Sequence, residues 1–103
     1  MSSYNTDLDK NAANYVPLTP LTFIKRAKEI YPDYEALIYE DRKYSWAEVY
    51  KRTVKFASAL NNIGIGKGDT VSFLAFNTPE IFEGHYSVPM TGAVLNTINI
   101  RLD

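Results

Sequence analysis

Residues 70–98, TVSFLAFNTPEIFEGHYSVPMTGAVLNTI, decide the fold. Thr70 to Ala75 is a short apolar run of strand length, and Val94 to Ile98 is a second one. Between them Thr78-Pro79-Glu80 places a capping side chain before a proline, whose fixed φ and missing N–H suit a first helical turn. Ile81, Phe82, His85, Tyr86 and Val88 continue that helix. Pro89 should kink or end it, because a proline ring inside a helix clashes with the carbonyl four residues back. Strand, helix and strand in so little chain make a βαβ unit, which sets both strands in one parallel sheet. A parallel sheet needs cover on both faces, and the rest of this chain has few elements to provide it.

Working back from that unit, Gly64 supplies a left-handed position that ends a helix, and Gly66-Lys67-Gly68-Asp69 turns the chain into the first strand. The helix ending there begins at Ser45-Trp46-Ala47-Glu48, a capping box in which the serine oxygen and the glutamate carboxylate each take a backbone N–H. Val49, Thr53, Phe56, Leu60 and Ile63 form its buried stripe, with Lys51, Arg52, Lys55 and Asn62 elsewhere on the wheel. Ala36 to Tyr39 and Lys43 to Ser45 are β-prone runs around Glu40-Asp41-Arg42, a hairpin with a compact turn. Earlier still, Thr19-Pro20 opens a helix whose face is Phe23, Ile24, Ala27, Ile30 and Tyr31, and Pro32 stops it. Residues 1–16 lack periodicity, and Asn5, Asn11 and Asn14 compete with regular structure for local backbone bonds, so they read as an extended arm. The expected fold is α/β: a hairpin plus a βαβ unit with three main helices.

Composition removes several functions. The 103 residues contain no Cys and one His, which excludes disulfides, a thiolate nucleophile and a multi-histidine metal site. A formal charge of −1, with Lys and Arg scattered along the chain, gives no field for nucleic acid. No run approaches the roughly 18 apolar residues of a membrane span, and Met1 to Asn14 carry no apolar leader core. The expected address is the cytoplasm. The glycines at 64, 66 and 68 with Lys67 suggest a phosphate cradle, but they follow a helix and precede a strand, the reverse of the order an anion site uses. His85 reads as a hydrogen-bonded core histidine, the tyrosines and phenylalanines as mostly at core-facing positions or hairpin sites, and the carboxylates as solvated faces and caps. Asn96, Asn99 and Arg101 differ, because they lie at or just past the carboxyl end of a parallel strand, where open α/β sheets bind ligands.

The order of these signals resembles the start of the adenylate-forming superfamily. Tyr44-Ser45-Trp46-Ala47-Glu48-Val49 is similar to its first core motif and Met90-Thr91-Gly92-Ala93-Val94 to its second, with Gly66 to Val71 and Asn77 to Glu80 in the places between. Asn14-Tyr15, Leu18 to Phe23 and above all Val88 to Leu102 resemble fatty-acyl, aryl and plant acyl-activating CoA ligases. The resemblance implies a fold that is the partial N-terminal subdomain of an adenylate-forming enzyme, with residues 1–16 as an arm and 17–103 as part of an AMP-binding domain. It also implies a parent acyl-CoA synthetase that uses ATP, Mg²⁺ and coenzyme A on a carboxylic acid. The superfamily's phosphate loop, nucleotide motifs and catalytic lysine lie beyond the motifs found here. No catalytic, cofactor-binding or metal-binding residue is therefore assigned, and the piece alone is expected to be inactive and to bind none of these cofactors. Its expected partner is the remainder of the parent enzyme, and open strand edges invite association with further copies of itself. Two rivals are a stand-alone non-catalytic interaction module with a ligase-like start, and a different superfamily reaction such as peptide-synthetase adenylation or luciferase-type oxidation. An open reading frame beyond codon 103 carrying a phosphate-loop motif separates the fragment from the module.

Overall fold

The computed structural model describes residues 9–13 and 15–101. Much of the arm read over residues 1–16 lies outside them. Within them Asn11 closes a local turn: its Oδ1 accepts from the Ala13 N–H at 2.8 Å and its carbonyl from the Tyr15 N–H at 3.0 Å.

Helix α1 spans Pro20–Ile30 and starts as its sequence dictates. The Thr22 N–H donates to Thr19 Oγ1 at 3.2 Å and the Thr19 N–H to Thr22 Oγ1 at 3.4 Å, a reciprocal box with threonine in place of the usual acid. Of its expected apolar face only Ile24 is fully buried. Phe23, Ile30 and Tyr31 stand about half in solvent, because among the described residues α1 packs mainly against α2 and α3.

Strands β1 (Glu35–Tyr39) and β2 (Arg42–Ser45) form the expected antiparallel hairpin. Glu40 takes the left-handed conformation at φ 54° in the two-residue connection, the backbone state such tight hairpins demand. Helix α2 (Trp46–Asn62) follows directly, with both capping-box bonds present at 3.2 and 3.1 Å. It ends in a Schellman closure: the Ile65 N–H reaches the Leu60 carbonyl and the Gly64 N–H the Asn61 carbonyl, with Gly64 at φ 91°. Val49, Thr53 and Leu60 are buried as the stripe requires. Phe56 stays partly exposed and Ile63 mostly so, because Ile63 is the cap residue, past the last turn that faces the core.

Strand β3 (Thr70–Phe73), helix α3 (Pro79–Met90) and strand β4 (Val94–Thr97) make the βαβ unit. The strands pair parallel, Thr70 opposite Val94 through Phe73 opposite Thr97. Both are shorter than the apolar runs, which reach Ala75 and Ile98: the last ladder bond runs from the Ile98 N–H to the Phe73 carbonyl, and the chain then leaves the sheet. Pro89 sits in the final turn of α3, one residue before its end. Thr91 closes that end, its hydroxyl donating to the Val88 carbonyl at 2.7 Å.

The core lies between α2, α3 and the inner face of β3–β4. Leu60, Val88 and Ala93 are buried there against Ile65, Val71, Phe73 and Leu95. Gly84 makes this approach: a Cβ at that position would lie 2.7 Å from Cζ of Phe73, so the helix can sit on the ring only without a side chain there. The outer face of the same sheet carries Thr70, Ser72, Val94 and Asn96, all exposed. Beyond the ladder Leu74 and Phe76 are 70% and 72% exposed. A parallel sheet with one bare face is the arrangement expected of a fold that more polypeptide completes.

Candidate functional site

The carboxyl ends of β3 and β4 open into a cleft of about 420 Å³ whose walls include Phe76, Asn77, Ile81, Thr97, Asn99 and Arg101. Two of the three residues singled out in the sequence therefore meet there. Asn99 Oδ1 accepts from the Arg101 N–H at 2.8 Å, which fixes the turn after β4. The Arg101 guanidinium enters no ion pair among the described residues. Asn96 is elsewhere: it lies on the outer face of the sheet and its Nδ2 donates to Ser72 Oγ across the two strands at 3.1 Å. Asn77 was not singled out in the sequence. Its place after the first strand of a βαβ unit was the available signal, since loops at that end line the ligand crevice.

A second cleft of about 410 Å³ lies between β1 and α3, mainly apolar, and includes Leu37, Ile38, Tyr39, Phe82, His85 and Tyr86. His85 corrects the core reading. It is exposed at the rim, because its helix turns that side toward the hairpin rather than the sheet, and its Nδ1 is 2.7 Å from the Ile81 carbonyl. The aromatic reading is corrected too: Tyr15, Phe23, Tyr31, Tyr34, Phe56 and Phe76 all present substantial area to solvent.

The charged residues form a cluster that the sequence did not announce. Arg42 of β2 holds Glu80 in the first turn of α3 with two bonds, at 3.0 and 3.4 Å. Arg52 of α2 donates from Nε to Glu83 at 2.6 Å, and the Tyr44 ring lies against both guanidinium groups. Glu83 is only 5% exposed, which overturns the solvated reading of that carboxylate; burial is tolerable because the arginine neutralises it. The hydrogen bonds from Arg42 and its own backbone N–H push the Glu80 carboxyl down to about 2 from the ordinary 4.5. Its partner Arg42 is raised chiefly by the same bond, and Arg52 by its bond to Glu83. Thr78 precedes α3 without capping it by its side chain.

These residues do not fit a magnesium triphosphate. Glu80 and Glu83, the carboxylates brought closest together by α3, are spent on Arg42 and Arg52. Among the described residues no group of three or more His, Cys, Asp or Glu side chains is placed to hold a metal. Gly64 closes the carboxyl end of α2, where carbonyls rather than N–H groups project, while Gly66 and Gly68 lie in the turn that follows, in which Asp69 accepts from the Gly66 N–H at 2.9 Å. No described helix is long and apolar enough to cross a membrane.

Comparison with known proteins places this arrangement. Residues 24–103 match the family model described as AMP-binding enzyme. An acetate–CoA ligase of Humulus lupulus is 52% identical over 97 residues, which are 94% of this chain and 17% of that protein. A trans-cinnamate:CoA ligase of Petunia hybrida, named as peroxisomal, gives the same figures. The chain thus spans about a sixth of the length of these curated relatives. Among solved structures, O-succinylbenzoate coenzyme A synthetase of Bacillus subtilis in complex with ATP and magnesium ion superposes with a TM-score of 0.74 at 26% identity, covering 79% of this chain and 22% of the other.

Proposed function

The chain belongs to the AMP-binding enzyme family, and we propose that it is the opening segment of a longer ATP-dependent carboxylic acid:CoA ligase. Residues 17–103 are read as part of the N-terminal, AMP-binding domain and residues 1–16 as an arm lying ahead of it. The observation that carries this reading is the pairing of 52% identity to CoA ligases with 17% coverage of them; the bare outer face of β3–β4 supports it independently.

In the complete enzyme a carboxylate and ATP give an acyl-adenylate and pyrophosphate, and coenzyme A then takes the acyl group as a thioester. Neutralising charge on the polyphosphate is the main demand of the first step, and the groups for it are read as lying in the rest of the enzyme. The role of this chain is to position. The Arg42–Glu80 and Arg52–Glu83 pairs tie the hairpin and α2 to α3, and α3 follows the connection that carries Asn77. Asn99 and Arg101 at that crevice are read as contacts for a polar or anionic part of a ligand in the assembled enzyme, and Asn96 as a sheet residue. Acetate and trans-cinnamate, named for two relatives, point to a short aliphatic or aryl acid.

The test is pyrophosphate exchange by the complete gene product across aliphatic acids of increasing length and benzoate and cinnamate series. Exchange with at least one short or aryl acid supports the reading, and none with any acid removes it. The cytoplasm is kept as the proposed address against the peroxisome named for the Petunia relative; imaging a tagged complete protein decides between them.

A further inference from the structure

Helix α3 starts differently from the other two helices. Thr19 and Ser45 each cap their helix with a side chain, but Thr78 gives α3 no such bond. The start of α3 is held from outside instead. Glu80 accepts from Arg42 of β2 at 3.0 Å and lies 4.0 Å from Arg52 of α2, while Arg52 donates to Glu83 at 2.6 Å, so Arg42, Glu80, Arg52 and Glu83 alternate in one ladder. Residues three apart share a side of a helix, which sets Glu80 and Glu83 together and turns Ile81 to another side. Ile81 is 8% exposed and borders both clefts, as does Asn77 just ahead of the helix. The segment that the ladder grips is therefore the partition between the clefts, and it walls the strand-end crevice together with Asn99 and Arg101. Of the two carboxylates Glu83 is the buried one, with 7% of its side chain in solvent against 53% for Glu80. Water can replace an arginine at Glu80, but not at Glu83.

We propose that Glu83 is a positioning residue: through Arg52 it fixes the start of α3, and so sets where Ile81 stands in the strand-end crevice and how tightly the complete ligase holds the substrate that docks there. Without the Glu83 charge, Arg52 is left with Glu80 at 4.0 Å as its carboxylate partner. The guanidinium then swings toward the hairpin side of the ladder and frees the part of α3 beyond Glu80. Glu83 acts within the ligase reading, on which the proposal rests, by moving a wall of the crevice and not by touching the reacting groups. Ground-state binding changes, and the chemical step does not.

Steady-state kinetics of the complete ligase tests this, with ATP, coenzyme A and the acid it turns over fastest each titrated in turn. All three carry an anionic group, so the titrations also identify which one docks beside Arg101. Glu83→Gln keeps the side-chain shape and removes the charge. It should raise the KM of one of the three about fivefold or more, with kcat and the other two KM values within about twofold, since a KM that rises alone marks lost ground-state binding. Arg52→Leu/Glu83→Leu separates position from stability, because replacing both partners of a buried pair with apolar residues leaves stability largely intact while the ladder is gone. The same KM should stay raised in the double variant although its urea midpoint returns toward that of the wild type. A KM that returns with the midpoint, three unchanged KM values in Glu83→Gln, or a loss shared by all three KM values and kcat would each overturn the positioning role and leave the ligase reading standing. A complete protein that forms no thioester removes both.

Discussion

Val94 on the outer face of the β3–β4 sheet and the apolar residues just past its strands should make the 103-residue chain self-associate, and lysine placed on that surface should stop it. Leu74 is 70%, Phe76 72% and Val94 60% exposed, with Ile98 38% exposed at the end of β4. Fully burying an apolar side chain of this size is worth roughly 1.5–3 kcal/mol, so covering these four at their observed exposure yields about 5 kcal/mol per copy. Two copies meeting face to face gain about twice that, against an association cost of about 4–15 kcal/mol. At the low end of that cost the net is about −6 kcal/mol, a dissociation constant of some tens of micromolar. Replacing Leu74 and Val94 together with Lys removes about half of the apolar gain and adds like charges across the contact. That change is worth at least ~2 kcal/mol, or more than tenfold in dissociation constant. Sedimentation velocity over a concentration series reads it directly. A wild-type chain that stays monomeric to about 200 μM, well above the range set by that balance, would refute the reasoning. Association unchanged in Leu74→Lys/Val94→Lys would move the sticky surface elsewhere.

Other expectations follow from the packing. Gly84→Ala should destabilise by about 1–2 kcal/mol despite alanine's better helix propensity, because its Cβ meets the Phe73 ring; Phe73→Leu should recover part of the loss in a thermal melt, and an additive double variant would contradict the contact. Arg52→Leu should cost about 2–3 kcal/mol, less than the 3–5 of a fully buried pair because Arg52 keeps 37% of its side chain in solvent. The double variant Arg52→Leu/Glu83→Leu should restore most of that loss in urea unfolding, whereas a loss equal to the sum of the singles would show that the pair is not coupled. Glu80 has a folded-state pKa depressed to about 2 from 4.5, so its contribution is present above pH 4.5 and is lost as pH falls toward 2. Glu80→Gln should flatten the melting profile across that acid window and leave its shape unchanged at neutral pH; an identical acid profile in the variant would count against the Arg42 contact.

Local signals carried most of the fold because they act within a turn or two. The Thr19 cap, the Ser45 capping box, the Gly64 closure and the hairpin are settled by neighbours in sequence, and the parallel pairing by a single helical crossover. The misreadings concern what each helix side meets in three dimensions. Phe23 and Ile63 have the periodicity of core residues, but Phe23 lies on the side of α1 away from its neighbours and Ile63 at the cap past the last core-facing turn, and His85 points to an apolar cleft rather than the sheet. Glu83 lies at a spacing that looks solvated until α2 brings Arg52 against it from 31 residues away. Topology alone puts Asn99 and Arg101 at the strand-end cleft. It does not put Asn96 there, because alternation along β4 sends it to the face opposite the cleft wall.

The most direct measurement is CoA-thioester formation, followed by mass spectrometry, with the 103-residue chain and the complete gene product assayed side by side on acetate and cinnamate with ATP and Mg²⁺. The account predicts thioester and AMP from the complete product and neither from the short chain. Turnover by the short chain, or a complete product that consumes no ATP with any acid, would contradict it.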